Sequence, residues 1–170
     1  MITNYLSKKE KLISDKFEKN GFIVFDINQK KFTQEIDLIL INYIKKEIKI
    51  KNRLGMSYIL NNFHKLSDKR KLNKIRMDIL KKINNSKIIK KLYYEVSKDI
   101  LDIIVGNELV MQKKINLSIQ LPQDDSSLLA LHSDVWSGDS PYEVVIWIPL
   151  VNCFKTKSMY ILKANKYKKF

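Results

Sequence analysis

The chain has 170 residues, with 32 Lys and Arg against 18 Asp and Glu, and a net charge of +14. That length suits one domain with a hydrophobic core, and no compositional break asks for a second. No run of about 18 apolar residues is present, Met1 to Leu12 lacks a signal-peptide pattern, and the single Cys153 excludes an intrachain disulfide framework or a Cys-based zinc site; these features predict a cytoplasmic protein with no membrane partner. A basic surface attracts polyanions, but here the charge is mostly Lys, with only Arg53, Arg70 and Arg76 to offer the guanidinium suited to bidentate phosphate recognition. The Lys, Ile and Asn abundance reads as a compositional bias and speaks against nucleic acid as a partner.

In chain order, Ser7 followed by Glu10 has the pattern of a capping box, and the helix it opens is expected to reach Asn20, where Gly21 takes the left-handed terminal position. A short strand, Phe22 to Phe25, is expected next. Thr33 is positioned to cap a second helix, in which Ile36, Leu40, Tyr43, Ile44 and Ile48 recur at three- and four-residue spacing as one buried stripe. Further helices are predicted over Asp68 to Ile83, with Leu72, Ile75, Ile79 and Leu80 inward, and from Lys87 to Val105, ending at Gly106.

After Gly106 the period changes. Ile115, Leu117, Ile119 and Leu121 alternate with Asn116, Ser118 and Gln120, the two-residue repeat of a half-buried strand that Pro122 ends. Leu128 to His132, Glu143 to Val151 and Ser158 to Leu162 read as three more strands, separated by turn-forming clusters at Gln123 to Ser127, Ser137 to Pro141 and Asn152 to Lys157. Trp147, inside the apolar third strand, is expected in the core, and Trp136 beside the turn could shield a pocket. The expected fold class is therefore α+β, a helical first half over residues 1–106 and an antiparallel sheet over residues 107–170 of a single domain.

His132-Ser133-Asp134 closes the second of these predicted strands. In extended backbone residues i and i+2 point to the same side roughly 6–7 Å apart, so an imidazole and a carboxylate can reach one cation. Imidazole and carboxylate suit Fe(II), and two His with one carboxylate leave coordination positions open for a keto acid and oxygen. The bland alternative is a surface His beside a turn.

The stretches INLSIQLP, LLALHSDVW, YEVVIWIPLV and KSMYIL between Ile115 and Leu162 resemble the first half of the double-stranded β-helix of phytanoyl-CoA-dioxygenase-like oxygenases, including members from bacterial carbohydrate-biosynthesis clusters. FEKNGFIVF, Phe17 to Phe25, is similar to the segment in which a helix leads through Gly into their first strand. The resemblance implies an incomplete jelly roll, Fe(II) and 2-oxoglutarate as cofactors, His132 and Asp134 as the first two iron ligands, and hydroxylation of a small-molecule substrate, with a sugar-related metabolite ahead of a lipid or acyl thioester. Asn116, Ser118 and Gln120 are candidates to line the keto-acid side, although polar alternation more often marks a solvent face. The family places a second His and an Arg several strands later. Here no His follows His132 and no Arg follows Arg76, which predicts a chain truncated before its metal site is complete. His64, the other His, falls in the helical half and reads as a helix-surface residue.

An incomplete site favours a non-catalytic remnant or interaction protein as the rival reading. A basic nucleic-acid-binding module and a cupin-like metal-dependent isomerase are further rivals. Strands without neighbours would also expose edges and invite self-association.

Overall fold

The computed structural model describes residues 5–26, 30–50, 54–125 and 128–169. Among them lie six α-helices: α1 Lys8–Asn20, α2 Lys30–Glu47, α3 Met56–Asn61, α4 Phe63–Leu66, α5 Lys69–Asn85 and α6 Lys87–Ile104. None is long and apolar enough to cross a membrane.

The helix ends follow local chemistry. The Glu10 amide donates to Ser7 Oγ (3.3 Å) and the Ser7 amide to Glu10 Oε2 (2.7 Å), so two of the otherwise orphaned donors at the start of α1 are satisfied reciprocally. Gly21, at φ 79°, ends the helix with its amide on the Phe17 carbonyl (2.7 Å). Helix α2 begins at Lys30, so Thr33 lies inside it and is not its cap. Asp68 caps α5 through the Arg70 amide (3.0 Å). Ser86 serves two helices: its amide closes α5 on the Ile83 carbonyl (3.1 Å), and its hydroxyl receives the Ile89 amide at the start of α6 (3.2 Å).

Helix α2 lies against both α5 and α6, which also pack on each other, while α1 adjoins α6 and α3 adjoins α2. The predicted stripe of α2 faces inward, with Ile36, Leu40, Tyr43 and Ile44 buried and Ile48 packed at the margin. Ile75 and Ile79 of α5 are buried as expected, joined by Ile83, with Leu72 packed beside them. Phe32, Ile59 and Ile89 complete the centre, where Phe32 meets the Tyr93 ring at 6.2 Å and 47°. Each such side chain removed from water is worth about 1.5–3 kcal/mol, which is why the amphipathic helices hold together.

The second half departs from expectation. No strand is formed among the described residues, so the α+β fold with an incomplete antiparallel double-stranded β-helix, or jelly roll, is not what this sequence adopts; its regular secondary structure is helical. Phe22 to Phe25 leaves α1 without pairing, and Leu128 to His132, Glu143 to Val151 and Ser158 to Leu162 form no ladder. Yet the alternation survives. Ile115, Leu117 and Ile119 turn toward the helices while Asn116, Ser118 and Gln120 face outward, and Ile148 and Leu150 also join the core margin. Two-residue periodicity requires only that one side be covered, and here helices cover it. Leu128, Leu129 and Leu131 are 55%, 80% and 84% exposed because no layer lies over either side of them. Trp147 is half exposed, pointing away from the core side of its segment, contrary to the expectation that it is core.

Side-chain clasps take the place of a ladder. Asn84 at the end of α5 donates from Nδ2 to the Ile115 carbonyl (3.0 Å) and receives the Ile115 amide on Oδ1 (2.8 Å). The Tyr93 hydroxyl of α6 donates to the Ile146 carbonyl (2.7 Å). Both residues sit on inward faces of their helices, so polar tips reach backbone groups that would otherwise be left without partners.

Candidate metal half-site

The backbone around His132 is shaped by a tight turn. Ser133 is extended (φ −120°, ψ 139°), and Asp134 opens a 3-10 turn, Asp134–Ser137, in which the Trp136 amide returns to the Ser133 carbonyl (2.9 Å). Gly138 at φ 98° reverses the chain, with its amide on the Val135 carbonyl (3.2 Å), and the Asp139 amide reaches the Asp134 carbonyl (3.2 Å). The left-handed position is one that a glycine adopts without steric cost.

The sequence-predicted pair is brought together. His132 Nε2 stands 3.6 Å from Asp134 Oδ1, and His132 Nδ1 lies 2.7 Å from the Ala130 carbonyl. A carbonyl only accepts, so the proton of a neutral ring sits on Nδ1 and the lone pair on Nε2 is left facing the carboxylate. Bonds of about 2.0–2.2 Å from N and O to one metal ion put the two donors about 3 Å or somewhat more apart, so the pair fits as two ligands with little adjustment. A backbone hydrogen bond like the one to Ala130 is also what orients the imidazole in metal sites. Both side chains are partly exposed, at 43% and 51%.

The set stops at two. No group of three or more His, Cys, Asp or Glu positioned to hold a metal ion occurs among the described residues. His64 lies on α4, partly buried, in the helical half. Trp136, adjacent to the pair in sequence, is 76% exposed and shields nothing there. Asn116, Ser118 and Gln120 share one outward side of their segment, as a solvent face would. Two shallow, open clefts lie elsewhere: one of about 360 Å³ bordered by Lys90, Lys91, Tyr94, Asn107, Leu109 and Met111, and one of about 400 Å³ between α2 and α5 beside Tyr43 and Lys82. Cys153 is partly buried, with its thiol directed to the Val151 carbonyl (3.3 Å).

Sequence reasoning missed the groups that hold this half of the chain in place. Asn84 and Tyr93 act across 31 and 53 residues of sequence. The available signal was weak: an Asn with poor helix propensity near the end of an otherwise regular helix, and a Tyr on an apolar face whose hydroxyl needed a partner.

Comparison with protein-family models, with curated proteins and with solved structures finds no match to this chain.

Proposed function

We propose that His132 and Asp134 are two ligands of an Fe(II), 2-oxoglutarate-dependent oxygenase centre of the phytanoyl-CoA-dioxygenase-like kind, directed at a small metabolite, with a sugar-related compound the leading class. The observation that carries this reading is the orientation of His132: Nδ1 is tied to the Ala130 carbonyl, and Nε2 is presented toward Asp134 Oδ1 at 3.6 Å. In that centre Fe(II) and the keto acid would supply oxidation of a substrate C–H bond by O₂, with 2-oxoglutarate decarboxylated to succinate.

The chain's own contribution is positional. Ala130 fixes the imidazole tautomer, Gly138 and the 3-10 turn set the direction of Asp134, and the half-exposed pair leaves room for further ligands. A facial set also needs another imidazole, and the described residues do not bring one to the pair. The reading therefore requires a donor from another polypeptide segment. A non-catalytic interaction protein is the second reading, favoured by the two-donor set and by the exposure of Leu129, Leu131, Trp136 and Tyr142.

Anaerobic addition of Fe(II) and 2-oxoglutarate to the full chain tests the oxygenase reading. A keto-acid-dependent visible charge-transfer band, lost in His132→Ala and Asp134→Ala, is the expected result, and admission of air should then yield succinate. Iron binding with neither band nor succinate would favour the interaction protein.

A further inference from the structure

The backbone of residues 114–121 has one side fastened and one side open. Asn84 meets both the amide and the carbonyl of Ile115. In extended chain the N–H and C=O of one residue point to the same lateral side, and those of the next residue to the opposite side. A single carboxamide that meets both groups of Ile115 therefore stands where a neighbouring strand would. Lys114, Asn116, Ser118 and Gln120 present their N–H and C=O groups to the other side, one residue about every 6.8 Å. None of these groups has a hydrogen-bond partner among the described residues. Beneath them Ile115 is buried and Leu117 and Ile119 pack on the helical core, which holds the segment in place.

Natural proteins blunt an exposed strand edge with Pro, charge or a bulge. The segment over residues 143–150, fastened by Tyr93 at the Ile146 carbonyl, carries such a block, since Pro149 offers no N–H to the side opposite Ile146. Between Lys114 and Gln120 there is neither Pro nor Gly, and on the open side the first proline is Pro122. A row of N–H and C=O groups at this repeat is complemented by another extended polypeptide backbone. Antiparallel addition lets each residue exchange both of its groups with one residue opposite. The side chains then set the partner's pattern: apolar beside Ile115, Leu117 and Ile119, neutral polar beside Asn116, Ser118 and Gln120, and a carboxylate opposite Lys114, which is exposed at the start of the same outward row. The chain's charge of +14 opposes a second copy and favours an acidic partner.

We infer that residues 114–120 are a docking edge for an extended strand of an acidic partner protein, added antiparallel, with its apolar side on the helical layer and an acidic residue opposite Lys114. The edge needs no metal ion, so the inference stands apart from the reading of His132 and Asp134.

Titration of the end-blocked, fluorescently labelled peptide Thr-Val-Thr-Val-Thr-Val-Glu with the full chain in EDTA, read by anisotropy and by residue-resolved amide exchange, tests it. Saturable binding is expected, with exchange slowed at Asn116, Ser118 and Gln120. N-methylation of the third and fifth residues of the peptide, which lie opposite Ser118 and Asn116, keeps every side chain but removes two edge bonds, and should weaken binding at least about fivefold. Replacing the peptide's Glu by Lys should weaken it about two- to fivefold, and Lys114→Glu should restore the Lys peptide. Ser118→Pro, which removes an N–H from the open side, should abolish binding with helical circular dichroism unchanged. Equal affinity for the methylated and unmethylated peptides would overturn the inference, as would the absence of saturable binding at millimolar peptide. So would exchange at Asn116 and Ser118 that slows with chain concentration alone, which would put a second copy on this edge.

Discussion

Asn84 holds Ile115 at both ends of its backbone, receiving its amide at 2.8 Å and donating to its carbonyl at 3.0 Å, and so fastens the non-helical half of the chain to the end of α5. A partly buried pair of hydrogen bonds is at stake, each worth about 0.5–1.5 kcal/mol net. Asn84→Ala should therefore cost about 1–3 kcal/mol in urea unfolding and should speed amide exchange over residues 115–121. Asn85→Ala, at the exposed neighbour, should stay within about 0.5 kcal/mol of the parent. Equal effects at the two positions would show that the clasp carries no weight.

Tyr93 makes the corresponding attachment for the Ile146 segment, and its ring also meets Phe32. Tyr93→Phe removes only the hydroxyl and leaves the Ile146 carbonyl to find water. The expected loss is about 0.5–1.5 kcal/mol, with faster proteolytic cleavage within residues 143–150 while the helices keep their protection. Unchanged cleavage there would mean that Ile148 and Leu150 alone hold the segment down.

Burial and then the Asp78 carboxylate, which accepts the hydroxyl proton at 2.8 Å, push the Tyr43 phenol well above the usual tyrosine range; burial also raises Tyr93. A folded value above the unfolded value of about 10 means that the stabilisation is fully present below about pH 10 and is lost as pH rises through the folded value. Stability should thus fall on the alkaline side, and Tyr43→Phe should flatten that fall while lowering stability at neutral pH by about 0.5–1.5 kcal/mol for the lost hydrogen bond to Asp78. Urea midpoints measured from neutral to strongly alkaline pH check both parts. A fall of the same steepness in Tyr43→Phe would remove this phenol as its source.

What the sequence revealed follows from how local each signal is. The limits of α1 were legible because Ser7, Glu10 and Gly21 act within one turn of the residues they cap, and the stripe Ile36, Leu40, Tyr43, Ile44 needs only its own spacing. The start of α2 at Lys30 was not legible, since Thr33 offered a plausible cap inside it. The alternation from Ile115 to Leu121 correctly separated a covered side from an outward one. It could not say that helices, rather than neighbouring strands, provide the cover, because Asn84 and Tyr93 reach their partners over long sequence separations. Leu128 to His132 was misread for a related reason: apolar composition states what a segment could bury, not what is there to bury it. The proximity of His132 and Asp134 was legible from their two-residue offset, whereas the Ala130 contact that turns the ring was not.

Cation binding by His132 and Asp134 is tested most directly by anaerobic titration of the full chain with Co(II), followed by its visible absorption. Saturable binding is predicted, weakened at least about tenfold in His132→Ala and in Asp134→Ala and little changed in Asp139→Ala, whose backbone but not side chain serves the turn. Equal Co(II) affinity in the parent chain and in His132→Ala would contradict the assignment and leave the pair as a surface hydrogen-bonding turn.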